Sequence, residues 1–521
     1  MNALAERVDG RTMRLLAVVL LLVGIALAAA HALTKLPHAD EGDVASAAAS
    51  LLDRGHIAFP MSYSYGASVR DAYYIAPPFY PAALAAWFAP FGRSLASYRL
   101  FHIVWFVLLV VSWMQLTRLT TTTRVAVPIA AALLALNYDL VNLGVTRYDV
   151  TCASLNAAAM AAYLTWRNGR FMLAIFVANC CLALAALTHP LAVLGLVGCL
   201  ALFVVHKDWR QLRPVHALVG LVPYVVAFGI WGLMISGHLD ELRHQAQLQA
   251  GSRVIDYAHP LAVFAKDFSV RWLELFAGWR ADVPKLMRVK TLYLLVWAVV
   301  PVLAIRNAPA GLRAPRVAIV IYSLTALLIL PFTDNLHLQI YNLHVIAGFS
   351  ALTAIACADL WERLPRLRVL VLAGVAGSAA FGLAAIGLRV LQNDAGHEFT
   401  PAHAHLAGLK DDEFIIAPSE MGFGIGFAKH VRDDFTLGAI ADGSMPRFIV
   451  ETKERPRPMP RAVPCSGTSS VHDTTTYRAL PNATPRQYYR VLERVTSGGV
   501  VADTSTSVLQ IVRNCDLRQG T

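Results

Sequence analysis

The sequence predicts an all-α polytopic membrane protein with an α/β domain at its C-terminal end, and three observations support this. Hydrophobic residues make up 56% of the 521 residues. Charged residues make up only 15%, whereas soluble domains carry about 25%. Apolar runs of membrane-spanning length recur up to residue 390, and beyond it they shrink to strand length. We therefore divide the chain into a transmembrane domain, 1–390, and a soluble domain, 391–521.

Eleven segments come close to the length of a membrane-spanning helix, which needs about 20 mainly apolar residues. These segments are 14–34, 98–117, 124–141, 150–166, 171–188, 190–205, 214–236, 290–306, 314–332, 338–358 and 368–390. Pro190 separates the fifth from the sixth, because proline ends a helix. The sequence therefore predicts about eleven transmembrane helices.

Basic residues give these spans an orientation. Every short loop on one side of the membrane carries at least two Lys or Arg, whereas the three short turns on the other side carry only Arg147. Because basic loops stay in the cytoplasm, we place the N-terminus inside and 391–521 outside. The net charge of +11 is spread over the inside loops rather than gathered in a patch, so we expect no nucleic-acid partner.

Three outside segments are long enough to carry function, namely 35–97, 237–289 and 391–521. Within the first, residues 43–54 place apolar side chains at helical spacing, which predicts a helix lying along the membrane interface. The second segment is either a similar interfacial helix or a plain connector.

The last segment has short apolar runs at 414–416, 448–450 and 508–512, which predict the strands of a small α/β domain. The Gly-rich stretch 422–426 lacks the spacing of a phosphate-binding loop. We interpret it as a tight turn.

The seven cysteines fall into two groups. Five lie within predicted spans, where cysteine usually packs as a small apolar residue. The other two, Cys465 and Cys515, are in the outside domain. We expect them to form a disulfide, because the outside compartment is oxidising; two free thiols are the alternative. No spacing of Cys and His indicates zinc.

Asp40 and Glu41 stand just past the first predicted span. Acidic residues at a membrane boundary are costly to keep for packing alone, so the pair predicts acid–base chemistry at the bilayer surface. The rival interpretation is that they cap the helix that follows, a role that Asp fills well. Capping would not exclude catalysis.

Residues 40–163 also contain an ordered series of motifs. The series is Asp40-Glu41, Gly55-His56, Pro77-Pro78-Phe79-Tyr80, Phe91-Gly92-Arg93-Ser94, Arg99-Leu100 and Arg147-Tyr148-Asp149. It resembles the lipid-dependent GT-C glycosyltransferases, which include protein O-mannosyltransferases, lipid A aminoarabinose transferases and bacterial relatives. The resemblance implies a GT-C-like fold and a location in the bacterial inner (plasma) membrane. It fades beyond the sixth predicted span.

The resemblance implies a polyprenyl-phosphate sugar as donor and a hydroxyl of a lipid, glycan or protein as acceptor on the outer face. An acceptor hydroxyl needs a carboxylate within hydrogen-bond reach, and Asp40 is our candidate base. Glu41 would orient Asp40 or bind the acceptor. A single base implies inversion at the sugar, in contrast to glycosidases, which use two carboxyl groups.

Aminoarabinose transferase-like members carry a lysine before the Pro-Pro pair, thought to meet the lipid phosphate, and this chain has Ala76 there. The candidate replacements are Arg70, Arg147, His189 and His56. The candidate substrate-binding residues are Asp149, Pro77, Pro78, Tyr80 and Tyr341. The rival interpretations make Asp149 a local partner of Arg147 and His189 a structural residue of its turn. No metal ligands are assigned, although a divalent cation, Mg²⁺ or Mn²⁺, is compatible with this chemistry.

Two other functions stay open at the level of sequence. Eleven spans would allow a lipid or glycan flippase. Transporters, however, usually show internal repeats and ionisable residues at mid-membrane, and neither is evident in this sequence. A non-catalytic membrane subunit could use the outside domain to bind a partner, although the Asp-Glu motif argues against it. Loss of glycan on mutation of Asp40 would separate an enzyme from such a subunit.

Overall fold

A computed structural model provides the structure of the chain. It describes residues 10–63, 67–75, 77–251, 257–427, 429–434, 445–452, 462–464, 473–480, 488–495 and 508–514. The fold is 73% helical with a small C-terminal sheet, in agreement with the predicted class. The chain divides into two compact units. The membrane unit comprises Met1–Ala32, Pro77–Tyr80 and Leu100–Leu388, and the loop-and-sheet unit comprises Leu33–Ala76, Pro81–Arg99 and Arg389–Thr521.

Helices occupy each of the eleven apolar segments that the sequence predicts as spans. The α-helices are α1 Gly10–Thr34, α2 Ala39–Arg54, α3 Ala67–Asp71, α4 Phe79–Phe91, α5 Leu95–Leu119, α6 Ala126–Ala135, α7 Tyr138–Gly144, α8 Asp149–Trp166, α9 Phe171–Ala186, α10 Ala192–Val205, α11 Pro214–Ile235, α12 Leu239–Gly251, α13 Pro260–Asp267, α14 Thr291–Arg306, α15 Arg313–Ile329, α16 Asn342–Arg363, α17 Arg368–Gln392 and α18 Thr400–His405.

Seven helical segments are long and apolar enough to cross a membrane. They are Gly10–Thr34, Leu95–Leu119, Pro214–Ile235, Lys285–Arg306, Ala310–Phe332, Gln339–Arg363 and Pro365–His405. An eighth is reached if α6 and α7, bent by 57° at their junction, count as one span. α9 and α10 are apolar but shorter. The protein is therefore an integral membrane protein, and the structure leaves the predicted number of eleven spans untested.

Small residues and buried ion pairs hold the membrane unit together. A Cβ on Gly382 would lie 1.8 Å from the carbonyl oxygen of Leu136, so only glycine lets α17 approach the junction of α6 and α7 this closely. Such close backbone contacts are typical of membrane helices. The Nζ atom of Lys290 lies 2.6 Å from the carboxylate of Asp139 in the interior of this unit.

The sheet of the second unit has seven described strands. They are β1 Ile415–Ile416, β2 Val431–Arg432, β3 Phe448–Thr452, β4 Ala462–Pro464, β5 Asp473–Ala479, β6 Tyr489–Arg494 and β7 Val508–Asn514. Their order is β2-β1-β3-β6-β5-β7-β4. β1 runs parallel to β2 and β3, whereas β6 is antiparallel to both β3 and β5. The three predicted strands are therefore confirmed as β1, β3 and β7.

The loop after α1 folds together with this sheet. The backbone N–H of Tyr63 donates to the carbonyl of Asp433 (3.1 Å), and the N–H of Asp433 donates to the carbonyl of Met61 (2.7 Å). These bonds extend the edge of the sheet beyond β2. The helix predicted over 43–54 is α2, which begins four residues earlier, at Ala39. Its location along the membrane interface stays a prediction.

The glycine-rich stretch forms a turn, as predicted. A 3-10 turn spans Ser419–Gly422, and Gly424 and Gly426 follow with φ values of 86° and 100°. Residues with a Cβ rarely adopt such positive values. Cys465 and Cys515 lie outside the described residues, so their disulfide stays a prediction.

Candidate active site

The first turn of α2 carries Asp40 and Glu41. The residue at the N-cap is His38, whose Nδ1 accepts a hydrogen bond from the N–H of Asp40 (3.2 Å). The side chain of Glu41 accepts one in return from the N–H of His38 (3.1 Å), which completes a capping box. Glu41 thus takes part in capping α2, whereas Asp40 contributes only its backbone N–H. Both acids lie where negative charge stabilises the positive end of the helix dipole.

The two carboxylates differ in what surrounds them. Glu41 is completely buried and accepts hydrogen bonds from Nε and Nη2 of Arg99, at 3.0 and 3.1 Å. Arg99 is equally buried and also donates to the carbonyl of Lys35 at 2.5 Å. The side chain of Asp40 is 36% exposed and lies 3.6 Å from Nδ1 of His38. Asp40 can therefore reach a solute, whereas Glu41 is committed to a structural ion pair.

Burial also changes the proton affinity of the lysine at the start of this loop. Desolvation lowers the pKa of Lys35 to about 8, and the charge of Glu41 works in the opposite direction. Lys35 is thus partly neutral in mildly alkaline solution.

Two of the predicted phosphate ligands belong to the loop-and-sheet unit. Arg70 stacks over the ring of Tyr63, with its guanidinium carbon 4.1 Å from the ring centre. The buried Nε of Arg70 donates to no atom in the described part of the chain. His56 follows the C-terminal end of α2 and contacts the carbonyl of Arg54 (3.1 Å). A helix of 16 residues is about 24 Å long, so His56 is far from Asp40.

The membrane unit brings together Arg147, Asp149 and His189, which we call the charged cluster. Nε of Arg147 lies 3.2 Å from one carboxylate oxygen of Asp149, and Nε2 of His189 lies 3.8 Å from the other. The sequence predicted Arg147 and His189 as cations that face outside, and Asp149 through the Arg147-Tyr148-Asp149 motif of the resemblance. The structure places them side by side.

The orientation of His189 follows from the turn that contains it. The backbone N–H of Leu191 donates to Nδ1 of His189 (3.1 Å). Since a backbone N–H can only donate, Nδ1 is the acceptor of this bond. The other ring nitrogen, Nε2, faces Asp149.

Asp149 has unused hydrogen-bonding capacity. Its side chain is only 1% exposed. Neither of its oxygens accepts a hydrogen bond from the described residues, and Nε of Arg147 is near but poorly aligned. A buried carboxylate without hydrogen-bond donors is energetically costly. Such unsatisfied polar groups are common where a ligand completes the site.

Aromatic side chains surround the charged cluster. The ring of His189 lies 5.7 Å from Tyr148 and 5.5 Å from Tyr341, and Tyr148 lies 5.6 Å from Tyr80 (centre to centre). The hydroxyl of Tyr80 is 2.9 Å from Nε2 of His102. The predicted substrate-binding residues Tyr80, Asp149 and Tyr341 therefore belong to one neighbourhood.

The Pro-Pro-Phe-Tyr motif is tied to the turn of His189. The N–H of Phe79 donates to the carbonyl of Leu187 (3.1 Å). Pro77 and Pro78 precede this bond, and proline restricts the backbone before it to extended conformations. The motif thus delivers Tyr80 to the aromatic neighbourhood just described.

His189 also lines an apolar pocket of the membrane unit. The pocket has a volume of 330 Å³ and lies between α9, α10 and α11. Its lining residues are Leu182, Ala186, His189, Pro190, Ala192, Val193, Leu196, Tyr224 and Phe228. The pocket is therefore almost wholly apolar, with the imidazole of His189 as its link to the charged cluster.

Sequence reasoning missed a second charged group in the membrane unit. Arg271 is fully buried and pairs with Asp267 (2.9 Å) and Asp334 (3.2 Å). Nδ1 of His337 lies 2.7 Å from Asp267, and His337 has an unusual φ of 54°. The spacing of Asp267 and Arg271 is a helical ion-pair signal. Nothing local links either residue to the turn of Asp334.

The described residues contain no group of three or more His, Cys, Asp or Glu side chains that could hold a metal ion. The carboxylates of the charged cluster and of α2 can accept hydrogen bonds, stabilise positive charge and transfer protons.

Comparisons with known proteins give a fold relationship only. No family model matches the chain, and a sequence search of curated proteins finds no match. ArnT from Cupriavidus metallidurans in the apo state is 15% identical, with a TM-score of 0.58 over 93% of this chain and 99% of that chain. The same protein bound to undecaprenyl phosphate is 14% identical, with a TM-score of 0.57 and the same coverage. An oligosaccharyltransferase from Archaeoglobus fulgidus is 13% identical, with a TM-score of 0.49 over 95% and 76%.

Proposed function

We propose that this chain, which has the GT-C glycosyltransferase fold, transfers a sugar from a polyprenyl-phosphate donor to a hydroxyl acceptor. The observation that carries the proposal is that His189 lies at the boundary of two different environments. It belongs to a cluster of charged side chains and also lines an apolar pocket between membrane helices. A ligand with an anionic head and a hydrocarbon tail matches both parts. Undecaprenyl phosphate, which is bound in the ArnT structure, is such a ligand.

Arg147 and His189 are the proposed ligands of the donor phosphate, in place of the lysine that precedes Pro-Pro in the aminoarabinose transferase-like members. A guanidinium binds phosphate oxygens through paired hydrogen bonds, and Nε2 of His189 adds a further donor. Asp149, close to both, would hold the two side chains in orientation. Tyr80 and Tyr341 contribute aromatic faces and hydroxyls near the same head group. Arg70 is the alternative phosphate ligand, since its buried Nε donates to no described atom.

Asp40 is the proposed general base. It accepts the proton of the acceptor hydroxyl as the oxygen attacks the anomeric carbon of the sugar, and the bond from that carbon to the lipid phosphate breaks. The product is inverted at the anomeric carbon because a single displacement occurs. Glu41, neutralised by Arg99, is proposed to orient the turn that carries Asp40 rather than to contact the acceptor. No step is assigned to Mg²⁺ or Mn²⁺, because the described residues offer no matching ligand set.

The proposed function also includes a membrane topology. We infer eleven spans, an N-terminus in the cytoplasm of a bacterial cell and the domain 391–521 on the outer face of the inner membrane. The basic residues of the short inside loops support this orientation. The acceptor is then a lipid, glycan or protein hydroxyl that is accessible from outside.

Transfer assays on Asp40 variants test the proposal. Membranes containing the wild type or Asp40→Asn are supplied with a panel of undecaprenyl-phosphate sugars labelled in a hexose, pentose or amino sugar. Asp53→Asn is the matched control, since Asp53 lies at the other end of the same helix and pairs with Arg93 at the surface. We expect Asp40→Asn to lose about 10²- to 10⁴-fold in rate at equal insertion, and Asp53→Asn to retain activity.

Equal transfer by Asp40→Asn and the wild type would remove Asp40 as the base. Movement of the labelled lipid across the bilayer without transfer would instead identify a flippase. A separate binding assay with undecaprenyl phosphate alone tests the donor site. We expect Arg147→Gln and His189→Ala to weaken binding, and Arg118→Gln, at the end of α5, to leave it unchanged.

A further inference from the structure

The first turn of α2 packs directly on the 3-10 turn Ser419–Gly422 of the same unit. Gly42 makes the closest approach: a Cβ at this position would lie 2.2 Å from the carbonyl carbon of Ser419 and 2.3 Å from the nitrogen of Glu420. No side chain can occupy that space, so backbone rests on backbone immediately after Glu41. The contact fixes the position of the turn that carries Asp40.

Hydrogen bonds complete the contact. The hydroxyl of Ser419 donates to the carbonyl of Ala39 (2.5 Å), the residue before Asp40. The N–H of Ser419 donates to the carboxylate of Asp433 (3.1 Å), which follows β2. One oxygen of Glu420 accepts a hydrogen bond from the hydroxyl of Tyr489 on β6 (3.0 Å). The 3-10 turn is thus attached to the sheet on one side and to the start of α2 on the other.

Several acids face one another across this contact. The acids are Asp40, Glu41 and Asp43 from α2, Glu420 from the 3-10 turn and Asp433 from the end of β2. Tyr489 donates to Glu420, and Arg99 and Lys35 are the cations that interact with Glu41. Burial, helped by the charges of Asp433 and Glu41, raises the pKa of Glu420 to about 8, although its hydrogen bonds act in the opposite direction. Burial and the charge of Asp433 also raise the pKa of Asp43 well above its usual range. At neutral pH, Glu420 therefore carries a proton, which limits repulsion at the contact.

We propose that Ser419, Glu420 and Tyr489 are positioning residues for Asp40, so that the C-terminal domain forms part of the catalytic apparatus. Ser419 and Gly42 set how far the first turn of α2 lies from the sheet. Glu420 and Tyr489 keep the 3-10 turn in place. This inference rests on the proposed role of Asp40 as the base, and it adds residues that do not contact the substrate themselves.

A matched pair of tyrosines tests the inference in the full-length protein in lipid nanodiscs. Tyr489→Phe removes the hydroxyl bound to Glu420, and Tyr477→Phe removes one bound to the carbonyl of Pro446 (3.0 Å) in the same sheet. Both rings are fully buried, so the two changes are alike in structural cost. We expect Tyr489→Phe to lower kcat about 10- to 100-fold, the range caused by small misplacements, with KM for the donor lipid unchanged. Tyr477→Phe should leave kcat within about twofold of the wild type.

Glu420 variants supply a pH readout that a merely structural role would not change. Glu420→Gln keeps the shape and a neutral side chain, and should retain most of the kcat that Glu420→Ala loses. In the wild type, kcat should fall as pH rises above 8, because ionised Glu420 repels Glu41 and Asp433. This alkaline loss should be absent from Glu420→Gln. An identical alkaline limb in both proteins, or equal kcat losses in the two tyrosine variants, would overturn the inference.

Hydrogen exchange separates this inference from the proposed function. Amides of 39–54 should exchange faster in Tyr489→Phe than in Tyr477→Phe or the wild type. If Asp40→Asn retains transfer, the base assignment is wrong, and faster exchange would still establish the coupling of α2 to the sheet. If Asp40→Asn is inactive and Tyr489→Phe matches Tyr477→Phe in both exchange and kcat, only the positioning role is wrong.

Discussion

Replacing Arg99 with methionine should destabilise the loop-and-sheet unit strongly. Arg99 is the only described side chain that bonds both oxygens of Glu41, at 3.0 and 3.1 Å, and both residues are fully buried. Removing one partner of a buried ion pair leaves an uncompensated charge, which costs about 3–5 kcal/mol. At about 2–4 °C per kcal/mol for a domain of 150–250 residues, Tm should fall by about 6–20 °C.

The assay is thermal unfolding of the purified protein in nanodiscs, followed by intrinsic fluorescence. Arg93→Met is the matched control. Its two bonds to Asp53 are shorter, at 2.6 Å each, but the partners are 38% and 50% exposed. An exposed pair contributes about 0–1 kcal/mol, so Arg93→Met should change Tm by only a few degrees. If hydrogen-bond distance alone determined the stability of the pairs, Arg93→Met would lower Tm more than Arg99→Met.

A double variant separates the charge effect from lost packing. Arg99→Met combined with Glu41→Met replaces the pair with apolar side chains, a change that is often nearly neutral. It also removes the capping bond to His38, at a cost of about 1 kcal/mol. We expect the double variant to recover most of the Tm lost in Arg99→Met. Equal losses in the single and double variants, or in Arg99→Met and Arg93→Met, would refute the reasoning.

Three further predictions address packing, pH and the membrane unit. Gly42→Ala should lower the free energy of unfolding by about 1–3 kcal/mol or more, because the new Cβ would overlap backbone atoms. Gly377→Ala is the control: nothing lies within 4 Å of its new Cβ, so Tm should stay unchanged or rise. The free energy of unfolding of the wild type should fall between about pH 5 and pH 8. In the folded protein Glu420 keeps its proton up to about pH 8, whereas in the unfolded chain it releases the proton near its ordinary pKa of about 4.3. Glu420→Gln should flatten that slope in denaturation scans, and an unchanged slope would contradict the assignment. Lys290→Met should lower Tm in nanodiscs by leaving Asp139 buried without its cation, and Lys290→Met with Asp139→Leu should restore it.

Composition and apolar periodicity predicted the membrane helices and the three strands because those signals are local. The same locality explains the error at the start of α2. Its apolar pattern begins at Val44, but the capping box of His38 and Glu41 starts the helix at Ala39. Histidine is not among the usual N-cap residues, so the pattern gave no sign of it.

Contacts between residues far apart in the chain could not be predicted from local sequence patterns. The distribution of basic residues placed Arg147, Asp149 and His189 on the same side of the membrane. Arg147 and His189 were predicted as phosphate ligands and Asp149 as a substrate-binding residue, and the sequence did not show that all three meet. It did not pair Arg99 with Glu41, although both stood in recognised motifs. Ser419 gave no signal at all, because its role depends on a partner 380 residues away.

That separation has a consequence for how the protein is made. Ribosomes extend chains at about 5–20 residues per second, so the 380 residues between Ala39 and Ser419 take roughly 20–75 s to synthesise. Until then α2 lacks the 3-10 turn against which Gly42 packs, although Arg99, the partner of Glu41, is already present. Nascent chains that stall or are cleaved before Ser419 would leave this helix exposed to proteases and chaperones. The first turn of α2 can therefore reach its final packing only after synthesis has passed Ser419.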